Sequence, residues 1–248
     1  MKRFRAFFLL VPLAVLSACT SVSGGSHEAS YEVETDTLIC RISVPQPEAS
    51  LRLSVGEWVD ELLGGFYPGD ASDIHAMVDF YGRAHTDTLQ ALLDECPGKP
   101  VGFEAIVEKA YETDDFVTYC CDNMINLGGA HPSTTEFGAT FRKSDGRRIT
   151  WDIVRTEKRY EFNDLMLILL EGYFGVKNSN QLEKVLSTDR TFDLPLPKNP
   201  PFFLENGVVF VYQEYEIAAY AYGLPSDTIP YERMQPLLTG WAQKMLPK

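Results

Sequence analysis

Three groups of residues in this chain have the types and spacing for chemistry. His131 follows Gly128-Gly129-Ala130 and precedes Pro132. An imidazole presented by such a loop titrates near neutral pH, which suits a proton carrier in a hydrolase or esterase acting on cell-wall glycan. The same residues equally serve a tight strand exit, with the glycines turning the chain, Pro132 fixing it and the imidazole hydrogen-bonding a loop. Glu214 and Glu216 stand two apart; on one strand they share a face at roughly 7 Å, from a rise of about 3.3 Å per residue. Paired carboxylates near that separation hydrolyse glycosides, but an acidic solvated strand face gives the same pattern, and one strand cannot flank a sugar bond. The third group is aromatic: Tyr212, Tyr215, Tyr220, Tyr222 and Tyr231. Flat rigid rings build binding platforms for proteins or sugars, or a core in which each hydroxyl finds a backbone partner. The expectation is Tyr215 and Tyr220 in the core, with Tyr212, Tyr222, His131, Glu214 and Glu216 as binding candidates.

Cysteine supplies the strongest local signal. Lys2, Arg3 and Arg5 precede an apolar run from Ala6 to Leu16, followed by Ser17-Ala18-Cys19. A membrane span needs about 20 apolar residues, so the run reads as the core of an export signal. The ending resembles the lipobox of bacterial lipoproteins, where cleavage precedes a cysteine whose thiol takes a diacylglyceryl group. Cys19 is therefore the expected lipidation site, with residues 1–18 removed and the protein anchored to the cell envelope by lipid, at the outer membrane. The remaining four, Cys40, Cys96, Cys120 and Cys121, are an even number in an exported chain and suggest disulfides. Adjacent strand residues face opposite ways, so Cys120 and Cys121 reach different partners; Cys121 with Cys96 and Cys120 with Cys40 is the favoured of three pairings.

Other chemistries find no footing. There is no G-x-S-x-G, phosphate-binding or dinucleotide glycine motif, and no C-x-x-C. His75 and His85 are ten apart and face about 80° away from each other on a helix. No metal or cofactor is expected. Without the export segment the chain holds 19 basic against 35 acidic residues. That surface repels nucleic acid and attracts a basic partner, or simply confers solubility.

The elements that position these groups follow from periodicity. Residues 19–34, rich in Ser, Gly and Glu, read as a flexible tether. Residues 35–100 read as an N-terminal α+β half with a helical insert: a strand Leu38 to Val44, a helix Leu51 to Leu63 stopped by Gly64-Gly65, and a longer helix capped at Ser72 or Asp73. Residues 101–248 form the C-terminal domain. There, strands run from Phe103 to Tyr111 and Phe116 to Leu127, with a hairpin around Ser144-Asp145-Gly146. Helices follow at Asn163 to Phe174 and Asn180 to Leu186. Asn206-Gly207 then turns a hairpin into a strand Val208 to Glu216, and a helix interrupted at Pro236 closes the chain. This mixture implies α+β, an antiparallel sheet packed against helices on one side. A 45% hydrophobic share supplies its core.

Two patches carry a family resemblance: Asn126-Leu127-Gly128-Gly129-Ala130-His131-Pro132, and Gly207-Val208-Val209-Phe210 with Tyr215-Glu216-Ile217-Ala218-Ala219-Tyr220-Ala221, Gly223 and Ile229-Pro230-Tyr231. With Trp151-Asp152-Ile153 between them, they resemble the bacterial envelope domain of unknown function that forms the extracytoplasmic part of RsiV-type anti-sigma factors. A related module precedes some peptidoglycan deacetylase domains. The likeness spans Phe103 to Leu238, and departs from the family at Ala219, where proline is common, and in the helical insert. Members of the RsiV type are lysozyme receptors, so the resemblance implies non-catalytic recognition of a protein, lysozyme-like and basic, or of a peptidoglycan-related glycan. The chain shows no sigma-binding segment, so the resemblance does not extend to an anti-sigma role.

Overall fold

Ala29, Tyr31 and Val33 alternate with polar residues, the period of a strand with one buried face. Glu28–Glu34 accordingly forms β1, antiparallel to β2 (Leu38–Pro45). The computed structural model describes residues 28–187 and 194–247; the export segment and Cys19 lie outside the described residues. The expected tether therefore overreached at its C-terminal end. Its polar composition masked the alternation, yet Ala29 is fully buried and the Thr86 hydroxyl donates to the Tyr31 hydroxyl.

Helix α1 (Arg52–Leu63) buries Val55, Trp58, Val59 and Leu63 at helical spacing, and ends where the Asp60 carbonyl accepts the N–H groups of both Gly64 and Gly65. The Asp73 side chain accepts from the Ala76 N–H and caps α2 (Ile74–Glu95). These two helices return the chain to the same end of the sheet, so β3 (Val101–Glu112) pairs parallel with β2. The α+β class holds, with this one parallel step in an otherwise antiparallel sheet. Strands β4 (Phe116–Asn126) and β5 (Ser133–Arg142) complete the order β1-β2-β3-β4-β5. The division expected at residue 100 thus falls inside a single sheet. Helices α1 and α2 cover one face, over a core that includes Ile42, Met77, Tyr81, Phe103, Tyr119 and Phe141. His85 belongs to that core as well: its ring stacks on Phe103 at 3.7 Å, Nε2 lies 3.0 Å from the Leu63 carbonyl, and burial lowers its pKa.

A second unit packs on the other face. Its sheet has the order β6 (Phe202–Leu204), β7 (Gly207–Val211), β8 (Ser226–Ile229), all antiparallel, with the Asn206-Gly207 turn as expected. Helices α3 (Arg159–Phe174), α4 (Ser179–Leu182), α5 (Tyr231–Met234) and α6 (Gly240–Gln243) enclose a second core around Phe162, Leu170, Phe203, Phe210 and Tyr212. The hairpin expected around Ser144-Asp145-Gly146 turns as expected, with the Arg142 N–H on the Arg147 carbonyl, but its second strand shortens to one bridge, Arg148 with Phe141, because a 3-10 turn capped by Thr150 starts at Trp151.

The two units meet through β6. Thr118 and Thr140, both fully buried, are cross-strand partners on β4 and β5 with their hydroxyls 2.8 Å apart. Thr118 donates to the Phe203 carbonyl at 2.6 Å, and Thr140 accepts the Phe203 N–H at 2.8 Å. Beside them the Phe202 ring lies directly over Gly138.

Candidate binding site

The site forms where the two motif patches meet. Strand β4 leaves the sheet through Gly128, whose positive φ of 72° suits glycine and whose N–H is held by the Asn126 side chain. His131 follows, exposed, with Nδ1 2.9 Å from the Pro132 carbonyl.

The second patch differs from its expected form. Strand β7 stops at Val211, where its partner β8 begins at Ser226. The preceding residue, Pro225, has no N–H with which to extend the ladder, and its carbonyl takes the Tyr212 N–H. Glu214 and Glu216 therefore do not share a strand face. They lie in a turn in which the Glu216 N–H meets the Gln213 carbonyl. The Glu214 carboxylate accepts from the Ser133 hydroxyl at 3.0 Å and the Thr134 N–H at 3.2 Å, while Glu216 accepts from the N–H groups of Lys198 and Gln213. Each is a clamp for backbone, and the pairing needed for glycoside hydrolysis is not formed. Gln213 adds another clamp: its amide donates to the Glu136 carbonyl and accepts the Glu136 N–H, as a strand neighbour would.

So anchored, the loop after β7 lays its rings against His131. Tyr220 stacks on the imidazole at 3.8 Å between centroids and 24° between planes, and its hydroxyl donates to the Pro132 carbonyl at 3.2 Å. Tyr215 continues the stack on Tyr220 at 5.8 Å and 29°. The expected roles of the tyrosines are thus partly reversed. Tyr212 is core, fully buried with its hydroxyl on the Pro195 carbonyl, and burial holds that phenol far above the usual range. Tyr215 is 63% exposed. Tyr222 is exposed as expected, packs on Phe174, and its carbonyl accepts from the Tyr173 hydroxyl. Tyr231 is anchored to the Leu204 carbonyl. Sequence reasoning missed Tyr215 because its exposure comes from a backbone turn, not from a periodicity.

Tyr215 is the one non-glycine residue with positive φ (63°) among the described residues. A bulky side chain in that region costs about 1–3 kcal/mol, and glycine or asparagine is the usual occupant of such a turn. The strain projects a ring into solvent.

The cysteines do not pair as expected. Cys40, Cys96, Cys120 and Cys121 are all free thiols. Cys40 and Cys121 point into the core under the helices, whereas Cys120 packs on the opposite face against Phe202, Val209 and Val211. A Cys40–Cys120 bridge would have to cross the sheet, and Cys96 is exposed at the end of α2 while Cys121 is buried. Burial first, and neighbouring carboxylates such as Asp122 second, push the Cys120 and Cys121 thiols up to about 12. Thiolate is the reactive form. A chain starting at Thr20 should therefore expose one fast-reacting thiol to a disulfide reagent at pH 8, removed by Cys96→Ser, with the other three appearing only in denaturant. Two or more fast thiols in the native protein would contradict this arrangement.

Residues 147–232 match the family model described as "Protein of unknown function (DUF3298)". That span holds the second motif patch, while the His131 patch lies before it. A crystal structure of a DUF3298 family member from Bacteroides fragilis is similar with a TM-score of 0.65 and 18% identity, covering 86% of this chain and 93% of that one. A DUF3298 family protein from Pseudomonas aeruginosa is similar with a TM-score of 0.62 and 11% identity, covering 89% and 96%. No curated protein matches. Over residues 147–232 the chain thus matches the DUF3298 family, and its overall fold is similar to that of two structures from that family.

Proposed function

We propose that this protein is a lipid-anchored binding protein of the cell envelope that recognises a basic, lysozyme-like protein through the His131–Tyr220–Tyr215 stack. The observation that carries this reading is the stack itself. Two segments more than eighty residues apart are clamped together so that three rings stand at the surface, one on a strained backbone. Exposed, preorganised tyrosines are the residues that dominate protein interfaces. Tyr220 stacks on both His131 and Tyr215, so its ring is largely taken up by protein and is less of a platform for a sugar. The Glu214 carboxylate, next to Tyr215 in the chain, is held on Ser133 and Thr134 just after His131 and Pro132. Anionic groups beside an aromatic patch favour a cationic partner and speed its approach. His131 serves this site as a stacked ring: no carboxylate or nucleophilic hydroxyl is hydrogen-bonded to its imidazole among the described residues.

The test measures binding of a chain starting at Thr20 to lysozyme at physiological salt. Micromolar or tighter binding is expected, with Tyr220→Ala weakening it by about tenfold or more. Tyr215→Gly separates binding from folding: it should weaken the complex while leaving the melting temperature unchanged or higher, because glycine relieves the positive φ. No binding at micromolar concentration, or full binding by both variants, would sink the proposal. The anchor is checked separately by palmitate labelling of the full chain, which should vanish in Cys19→Ser.

A further inference from the structure

We propose that a second site, a cavity at the foot of the five-stranded sheet, binds the zwitterionic head of an α-amino acid, either free or borne on a larger molecule. The cavity measures about 220 Å³ and is lined by Pro45, Gln46, Glu48, Lys109, Glu112, Val117 and Tyr119. That is below the range of drug-sized sites and matches a small metabolite or a chain end.

Its geometry is built by a defect in β3. The ladder with β4 shifts register between Lys109 and Tyr111. In a regular strand, residues three apart face opposite ways; the irregularity lets Lys109 and Glu112 both line the cavity and pair at 2.6 Å. Lys143 supports them from the rim, 2.5 Å from Glu112 and 4.0 Å from Glu48. Two ammonium and two carboxylate groups leave the site neutral overall but dipolar. An anion or a cation alone would upset that balance, whereas a zwitterion preserves it.

The unmet hydrogen bonds point the same way. The buried Gln46 Oε1 has no partner, and such an acceptor costs about 1–3 kcal/mol when left empty. The Tyr119 hydroxyl, on a side chain only 3% exposed, has no hydrogen-bond partner among the described residues. Burial and the nearby Glu112 and Glu48 push its pKa up to about 12, so it stays a donor at neutral pH. Lys109 uses one N–H on Glu112 and keeps two. The Glu48 carboxylate has only the 4.0 Å contact to Lys143 among the described residues. With its amide turned into the cavity, Gln46 would offer Oε1 to a ligand ammonium beside Glu48, while the Tyr119 hydroxyl and Lys109 would take the ligand carboxylate. This site is separate from the aromatic stack and does not rest on the lysozyme reading.

The experiment is calorimetric titration of the whole chain in detergent micelles with L-alanine, D-alanine and Nε-acetyllysine, against glycinamide and N-acetylglycine. At least one zwitterion should bind, with each singly charged analogue at least about tenfold weaker. Retained affinity for Nε-acetyllysine identifies a ligand carried on a larger molecule; its loss alone identifies a small free amino acid. Gln46→Leu should abolish binding while keeping or raising the melting temperature, since it removes an unpaired buried acceptor, and the half-exposed Lys109→Met should weaken binding without unfolding. Absence of binding at about 50 mM, equal affinity for the blocked analogues, or unchanged binding in both variants would overturn the proposal.

Discussion

Replacing Gly138 by alanine is expected to destabilise the protein by about 3 kcal/mol, with valine little worse. A Cβ at this position would sit 2.2 Å from Cγ and Cδ1 of Phe202, where carbon atoms pack at about 3.5–4.0 Å. Phe202 cannot withdraw, because it is 2% exposed and wedged among Val209, Val211 and Cys120. Backbone must move, and the backbone that moves is β6, which joins the two units. The first added carbon makes the collision, so the larger side chain adds little. For a domain of this size the loss lowers the melting temperature by about 6–12 °C. A urea titration of the chain from Thr20 checks the value, and a change below about 0.5 kcal/mol would show that Phe202 does not hold this position. A cycle with Phe202→Ala gives a sharper test. Alone, that variant leaves a cavity costing about 3–5 kcal/mol, but beside Gly138→Ala it removes the colliding ring, so the double variant should be clearly less destabilised than the sum.

Much of the fold was legible because single segments declare themselves. The α1 stripe of Val55, Trp58 and Val59, the Asp73 cap and the Asn206-Gly207 turn are local signals, and each element stands where its residues placed it. The parallel step between β2 and β3 was not legible, since the direction of pairing depends on where a two-helix crossover returns the chain. Glu28–Glu34 was hidden by composition: five of its seven residues are polar side chains with Ala29 and Val33 as the only aliphatics, a tether by content and a strand by order. At the candidate site, His131 and Glu214 were legible as residues, but their roles were not. A histidine after Gly-Gly has the sequence of a mobile catalyst, yet the ring that fixes it, Tyr220, lies 89 positions away. Tyr212 and Tyr215 were exchanged for a related reason. Extending β7 to Glu216 would put them on opposite faces, while the chain leaves the ladder at Pro225 and turns Tyr215 outward. Long-range register decided both outcomes, and no local pattern encodes it.

The aromatic stack depends on the same junction that Gly138 protects. β5 supplies Ser133, Thr134 and Glu136 to the clamps that hold Glu214 and Gln213, and further along the same strand supplies Gly138 and Thr140 to β6. A change that slides β6 along β5 would therefore shift the loop carrying Tyr215 and Tyr220. Variants at the junction should lose partner binding in proportion to lost packing, whereas Tyr215→Gly should lose binding alone.

Thr140→Val should cost about 2–3 kcal/mol although valine has the same shape and adds no clash. The reason lies in a closed set of hydrogen bonds. Thr118 donates to the Phe203 carbonyl, so its oxygen is left to accept from Thr140, which in turn accepts the Phe203 N–H. Every polar atom of the pair and both backbone groups of Phe203 are used, in a region where both threonines are 0% exposed. Valine at 140 strands the Phe203 N–H with no water within reach. Thr118→Val instead strands the Phe203 carbonyl and leaves the Thr140 hydroxyl without its acceptor. If the two hydroxyls act as one unit, the second substitution meets a network already broken, and the double variant should fall short of the sum by at least about 0.5 kcal/mol. Additive losses in denaturant titrations would mean that the hydroxyls serve Phe203 independently. A loss below about 0.5 kcal/mol for Thr140→Val alone would mean that β6 finds other partners and that the junction rests on Phe202 and Gly138.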